Sequence, residues 1–261
     1  MIARQHISIR SPIGGWGSPW PNVAEIAQEL PHEKWTLVGG LMTQLHAIHH
    51  GIDTPRATND VDIVLHIETT RGVAQQTADA LERLGYTLTP SFDPRTGTAH
   101  RFRRERSSVD LVTSEDDVTD VVDVLLAEHA APRAIEQLRG RTMITIDGGT
   151  QALKRTINAD LEITAGAITT ISVLGVFGAL ILKAAAYKAD SRDRDRHLVD
   201  AAALLAAIED PYEQATQLAG SDRSRLATLV KALPDTSTIW TTLSEEHRVG
   251  AQAALRILTN W

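Results

Sequence analysis

Apolar and polar positions alternate in different periods along the chain, and the changes of period mark its elements. Residues 35–38 form a short apolar run that ends in Gly39-Gly40. Beyond it Leu41, Leu45 and Ile48 recur at helical spacing until Gly51, a residue suited to ending a helix. Over 61–67 the period falls to two, with Val61, Ile63 and Leu65 on one side and Asp60 and Asp62 on the other, which predicts a strand. Residues 72–84 read as an amphipathic helix with Val73, Ala80, Leu81 and Leu84 facing inward. Three more strands are predicted at 86–89, 99–103 and 107–113, the first two separated by the turn-forming stretch 93–97. Upstream, 11–21 is an irregular Gly-, Pro- and Trp-rich arm, and 22–30 a short helix with Asn22 as its N-cap.

From about residue 115 the spacing turns mostly helical. Helices are predicted at 118–128, 132–138, 172–188, 197–208, 211–218, 223–233 and 244–258, with one short strand at 143–146. Residues 163–182 carry no charge and are long enough to span a bilayer. Their threonines and β-branched alternation instead read as a strand followed by a buried helix. The expected fold class is therefore α+β: a mixed-sheet core followed by a mainly helical C-terminal region. The expected division is an N-terminal arm and helix over 1–34, the core over 35–150, and the helical domain over 151–261.

Composition narrows the chemistry. The chain has no cysteine, which excludes disulfides, thiolate metal sites and a cysteine nucleophile. Arg4 and Arg10 are followed by no apolar stretch, so no signal peptide is predicted and a cytoplasmic protein is expected. The net charge of −7 disfavours general nucleic-acid binding, so any RNA contact needs a local basic patch. Arg101, Arg103, Arg104 and Arg106 are one candidate for such a patch; a solvated hairpin is the alternative.

Candidate chemistry centres on Asp60 and Asp62. Two carboxylates side by side on a strand repel by roughly 4 kcal/mol at about 4 Å and an effective dielectric near 20. A hard divalent cation such as Mg²⁺ relieves that repulsion; a solvated sheet edge also would. Gly39-Gly40 lets backbone approach a phosphate where a helix begins. Asp110, set among Ser108, Val109, Leu111 and Val112, is a candidate third carboxylate, with an outward-facing position as the alternative. Two metal ions bridged by three carboxylates suit phosphoryl transfer. Lys183 ends an apolar run, where a buried ammonium needs an anionic partner or must snorkel to solvent. Lys188 is an alternative for the same role. His46 and His50 have a zinc-compatible spacing, but no third ligand is evident.

Together, Gly39-Gly40, Asp60-x-Asp62 and Asp110 resemble the DNA polymerase beta nucleotidyltransferase superfamily. Arg56-x-Thr58-x-Asp60-x-Asp62 is similar to its AbiEii/MenT branch, the toxins of bacterial toxin–antitoxin systems. So is Lys183 followed by Arg192, Arg194, Arg196, His197 and Asp200. The chain departs from the branch in a longer gap between Gly40 and Asp60 and in His197, where an acidic residue is frequent. The resemblance implies a Mg²⁺-dependent enzyme that moves a nucleotide from a nucleoside triphosphate (NTP) to the tRNA 3′ end, with a possible cognate antitoxin. It implies that Asp60, Asp62 and Asp110 hold metal and perform catalysis. Gly39, Gly40, Arg56, Thr58, Lys183 and Asp200 would bind the triphosphate. A small-molecule nucleotidyltransferase of the antibiotic-modifying kind and a non-catalytic member of the fold are the competing expectations.

Overall fold

The computed structural model describes residues 4–53, 56–90, 98–106, 118–128 and 137–260. Its strands are β1 (His6–Ile9), β2 (Trp35–Val38), β3 (Asp60–Leu65), β4 (Thr87–Pro90), β5 (Ala99–Arg106), β6 (Val118–Ala127), β7 (Gln137–Leu138), β8 (Arg141–Thr142), β9 (Thr145–Ile146), β10 (Thr156–Thr164) and β11 (Ala167–Leu174). Its α-helices are α1 (Trp20–Glu29), α2 (Gly39–His49), α3 (Val73–Arg83), α4 (Gly149–Leu153), α5 (Val176–Ala189), α6 (Asp195–Ala206), α7 (Pro211–Thr216), α8 (Asp222–Ala232) and α9 (Glu245–Thr259). The result is the expected α+β architecture. Among the described residues no helix is long and apolar enough to cross a membrane.

One mixed sheet runs in the order β1-β10-β11-β2-β3-β6-β5-β4, with β9 paired to β6. It draws strands from all three expected stretches of chain, since β1 lies in 1–34 and β10 and β11 lie in 151–261. The uncharged run from residue 163 is thus the end of β10, its turn and β11, leading into α5. This corrects the helix predicted from residue 172: β11 continues to Leu174, and α5 begins at Val176. Asn22 is not an N-cap either. It lies buried inside α1, which Pro21 helps to start.

The larger correction is at 118–128, predicted as a helix and found as β6. Val122, Val124 and Leu126 are buried on one face, and Asp123 lies on the other. An almost unbroken aliphatic run satisfies helical spacing as easily as alternation, and β-branched residues favour the strand. Of the predicted helix 132–138, only Gln137 and Leu138 are described, and they form β7.

The two sheet faces are covered differently. Val61, Val122 and Phe102 are aligned across β3, β6 and β5 on one face. Two residues along β5, Arg104 on that face binds Glu25 of α1, Asp120 of β6 and the Leu84 carbonyl after α3, and stacks on Tyr86. Arg104, one of the four arginines of the predicted basic patch, is therefore structural. The opposite face receives α2, α5 and α6, which pack on one another. Asp222 on α8 is fully buried and ties that helix to the turn before β10 by accepting from Arg155 at 2.6 Å. Removing one partner of a buried pair strands the other charge. Asp222→Ala is expected to lower stability by about 3 kcal/mol or more, measured by urea denaturation.

Candidate active site

The carboxylate face of β3 is the floor of the site. Asp60 and Asp62 share that face, while Val61 and Ile63 are fully buried on the other. Asp62 pairs across the sheet with Val38 on β2 and with Asp123 on β6. Asp123 in turn stands opposite Arg101 on β5. Asp62, Asp123 and Arg101 thus form a row across three neighbouring strands. The Arg101 guanidinium grips Asp123 with both arms: Nε donates to Oδ1 at 2.8 Å and Nη2 to Oδ2 at 2.7 Å. Nη2 also lies 3.6 Å from Asp60 Oδ2. Hydrogen bonding to Asp123 raises the Arg101 pKa above its ordinary value, so it stays charged.

Asp62 is less well compensated. Burial, reinforced by Asp123 beside it, pushes its carboxyl up to about 6, although Lys183 pulls the other way. Gly39 explains why it sits so close to backbone. With φ at +72°, Gly39 turns β2 into α2, and a Cβ there would fall on the Asp62 carboxylate, 2.6 Å from Cγ. Gly40 is crowded too, without the positive φ: an added Cβ would lie 2.6 Å from Thr58 Oγ1 and 2.9 Å from the Arg56 guanidinium. The 56–59 segment therefore folds over the start of α2. That helix has no side-chain cap hydrogen bond, so its first turn offers N–H groups beside the carboxylates.

A second cluster faces the first. Lys183 on α5 donates to Asp200 Oδ2 on α6 at 2.6 Å. Arg56 forks onto the same carboxylate, from Nε to Oδ1 at 3.1 Å and from Nη2 to Oδ2 at 3.2 Å. Asp200 and Lys183 are buried, at 1% and 4% exposure. Burial alone would raise the Asp200 pKa, but Lys183 and Arg56 overrule it and hold the carboxyl below its ordinary value. Two cations on one anion leave a net positive charge. Lys188 is exposed on α5.

The structure thus brings together Gly39, Gly40, Arg56, Thr58, Asp60, Asp62, Lys183 and Asp200. Asp110 lies outside the described residues, as does the rest of the strand predicted at 107–113. The position beside Asp62 is held by Asp123, which sequence reasoning missed. Its signal was present: Val122-Asp123-Val124-Leu125-Leu126 repeats the pattern of Val61-Asp62-Ile63-Val64-Leu65, and the two segments pair in register. Arg101 was singled out only as part of a basic cluster, and its grip on Asp123 was not anticipated.

Other candidates fall away. His46 is buried with Nε2 on the Leu174 carbonyl, and burial lowers its pKa to about 4. His50 Nε2 lies 3.7 Å from Glu209, and its Nδ1 meets the His46 carbonyl at 2.8 Å. Among the described residues, no three carboxylate or imidazole groups converge closely enough to form a ready-made metal cage. A cavity of about 200 Å³ at the far end of β3, beside His66 and Lys154, shares no lining residue with the carboxylate row.

No curated protein matches the chain. A family model described as the nucleotidyl transferase AbiEii toxin of type IV toxin–antitoxin systems matches residues 23–249, a span that contains every residue of both clusters. The chain belongs to the AbiEii nucleotidyl transferase toxin family.

Proposed function

We propose that this nucleotidyl transferase moves a nucleotide from an NTP onto RNA, with the tRNA 3′ end as acceptor and Mg²⁺ as its metal. The observation that carries the reading is the meeting of opposites around Gly39. The Asp60 and Asp62 carboxylates lie on one side, and the Lys183–Asp200–Arg56 cluster, with its excess positive charge, lies on the other.

The donor set fits a hard divalent ion. Asp60 and Asp62 offer oxygen ligands, and the raised Asp62 pKa marks a carboxylate short of positive charge. Asp60 and Asp62 would hold Mg²⁺, which when bound offsets charge on the reacting phosphate and the attacking oxygen. The remaining work belongs to the chain. Gly39 and Gly40 admit phosphate oxygens to the first-turn N–H groups of α2. Lys183 and Arg56 neutralise the triphosphate and so favour departure of pyrophosphate, while Asp200 fixes both cations in place. A β3 carboxylate takes the proton of the acceptor hydroxyl as that oxygen bonds to the α-phosphorus.

Support for an RNA acceptor is local rather than global. Arg103 is exposed on the Arg101 face of β5, and Lys188, Arg192 and Arg194 are exposed at the turn between α5 and α6. These charges flank the site in a chain of net charge −7. A cognate antitoxin fits the toxin–antitoxin character of the family.

Lys183→Ala is expected to weaken NTP binding by about 10- to 100-fold, the worth of a charge-assisted hydrogen bond, measured by calorimetry. Asp200 keeps Arg56 as partner, so the variant should fold. The toxin reading is tested by expression without an antitoxin. Growth should slow with the wild-type chain and recover with Asp60→Ala. Unimpaired growth with the wild-type chain contradicts it.

A further inference from the structure

We infer that Arg101 fills the place of a second cation, so that this site takes one divalent ion where three carboxylates would otherwise take two. The inference rests on the proposed metal-dependent reading and concerns how many ions the site accepts.

Asp123 is the carboxylate that a second ion would need, because it stands next to Asp62 across β3 and β6. Both of its oxygens already accept from Arg101 in a parallel fork. The fork is the geometry in which guanidinium recognises carboxylate best. Asp123 is also 7% exposed, so it depends on a protein partner rather than on water. The same Nη2 reaches towards Asp60. Arg101 therefore sits against two of the three carboxylates, Asp123 and Asp60, while the Asp62 carboxylate lies against Gly39.

An ion between Asp62 and Asp123 would lie beside a permanent positive charge or would have to displace it. Mg²⁺ parts with its waters reluctantly and completes its shell with water and phosphate oxygens, so one ion at Asp60 and Asp62 needs no third carboxylate. The arrangement is specific to these residues. Arg101 reaches Asp123 because β5 and β6 are antiparallel neighbours with those two residues in register.

Counting ions tests this directly. The full chain would be saturated with a non-hydrolysable NTP analogue and titrated with Mn²⁺, with free Mn²⁺ read by electron paramagnetic resonance and the share held by free nucleotide subtracted. One Mn²⁺ per wild-type chain and two per Arg101→Ala chain is the expected result. Two in the wild type, or one in both, overturns the inference and leaves the proposed function standing. None in the wild type with the analogue bound overturns the proposed metal-dependent function itself. Melting curves give a second readout, and Arg101→Gln serves if the alanine variant folds poorly. Without metal the variant should melt below the wild type, and Mn²⁺ should raise its melting temperature by more. An equal rise in both chains counts against Arg101 as the stand-in.

Discussion

Replacing Asp62 with asparagine is expected to lower nucleotidyl transfer by about 10³-fold or more while making the metal-free protein more stable at pH 7. The two effects have one origin. The Asp62 carboxyl titrates near 6 in the folded chain against an ordinary value of 3.8. A raised carboxyl pKa means that the folded state holds its proton longer than the unfolded state. The contribution of Asp62 to stability is then most favourable below about pH 4 and is lost as the pH rises through 6. Above pH 6 the penalty is complete, at about 3 kcal/mol for a shift of roughly two units. Asparagine has no proton to lose. Without divalent metal, Asp62→Asn should match the wild type near pH 4 and exceed it at pH 7.5, as measured by urea denaturation at both values. A variant no more stable than the wild type at pH 7.5 would mean that the Asp62 charge is not strained.

Gly39→Ala should be the most damaging change outside the charged residues. The position needs a positive φ, which disfavours any residue with a Cβ by roughly 1–2 kcal/mol. The new methyl would also collide with the Asp62 side chain, whose own backbone is pinned between β2 and β6. Together these are expected to lower stability by about 3 kcal/mol or more and to abolish transfer, because relief requires Asp62 to leave its place. Gly40→Ala is a useful contrast. Its added Cβ meets the Thr58 side chain and the end of Arg56. A long arginine can yield, so the stability loss should be smaller and the main effect a higher KM for NTP. Equal losses in the two variants would show that Gly39 is not specially constrained. Urea denaturation and steady-state kinetics on both proteins decide it.

Much of this site was legible in the sequence because its parts are local. Asp60-x-Asp62 shares a face through the two-residue period of a strand, and Gly39-Gly40 announces the turn from β2 into α2. Lys183 was readable as a buried cation because it ends an apolar run. The missing parts are those created by pairing distant segments. Asp123 becomes a neighbour of Asp62 only when β6 docks parallel to β3, and its aliphatic surroundings read as a helix. Arg101 acquires its role from register with Asp123, which no local pattern contains. The boundary between β11 and α5 was misplaced because an apolar run carries no signal for where a buried strand ends and a buried helix begins. Arg104 shows the converse. It looked like part of an RNA-facing patch, but alternation along β5 sends it to the α1 and α3 face, where Glu25 and Asp120 hold it.

Transfer of a nucleotide to tRNA can be assayed on the purified chain. Purified chain would be incubated with Mg²⁺, total tRNA and each α-labelled NTP in turn, beside an Asp60→Ala control. Label should appear at the tRNA 3′ end from at least one NTP, and none with the control. Bound NTP with no label on any RNA would contradict it.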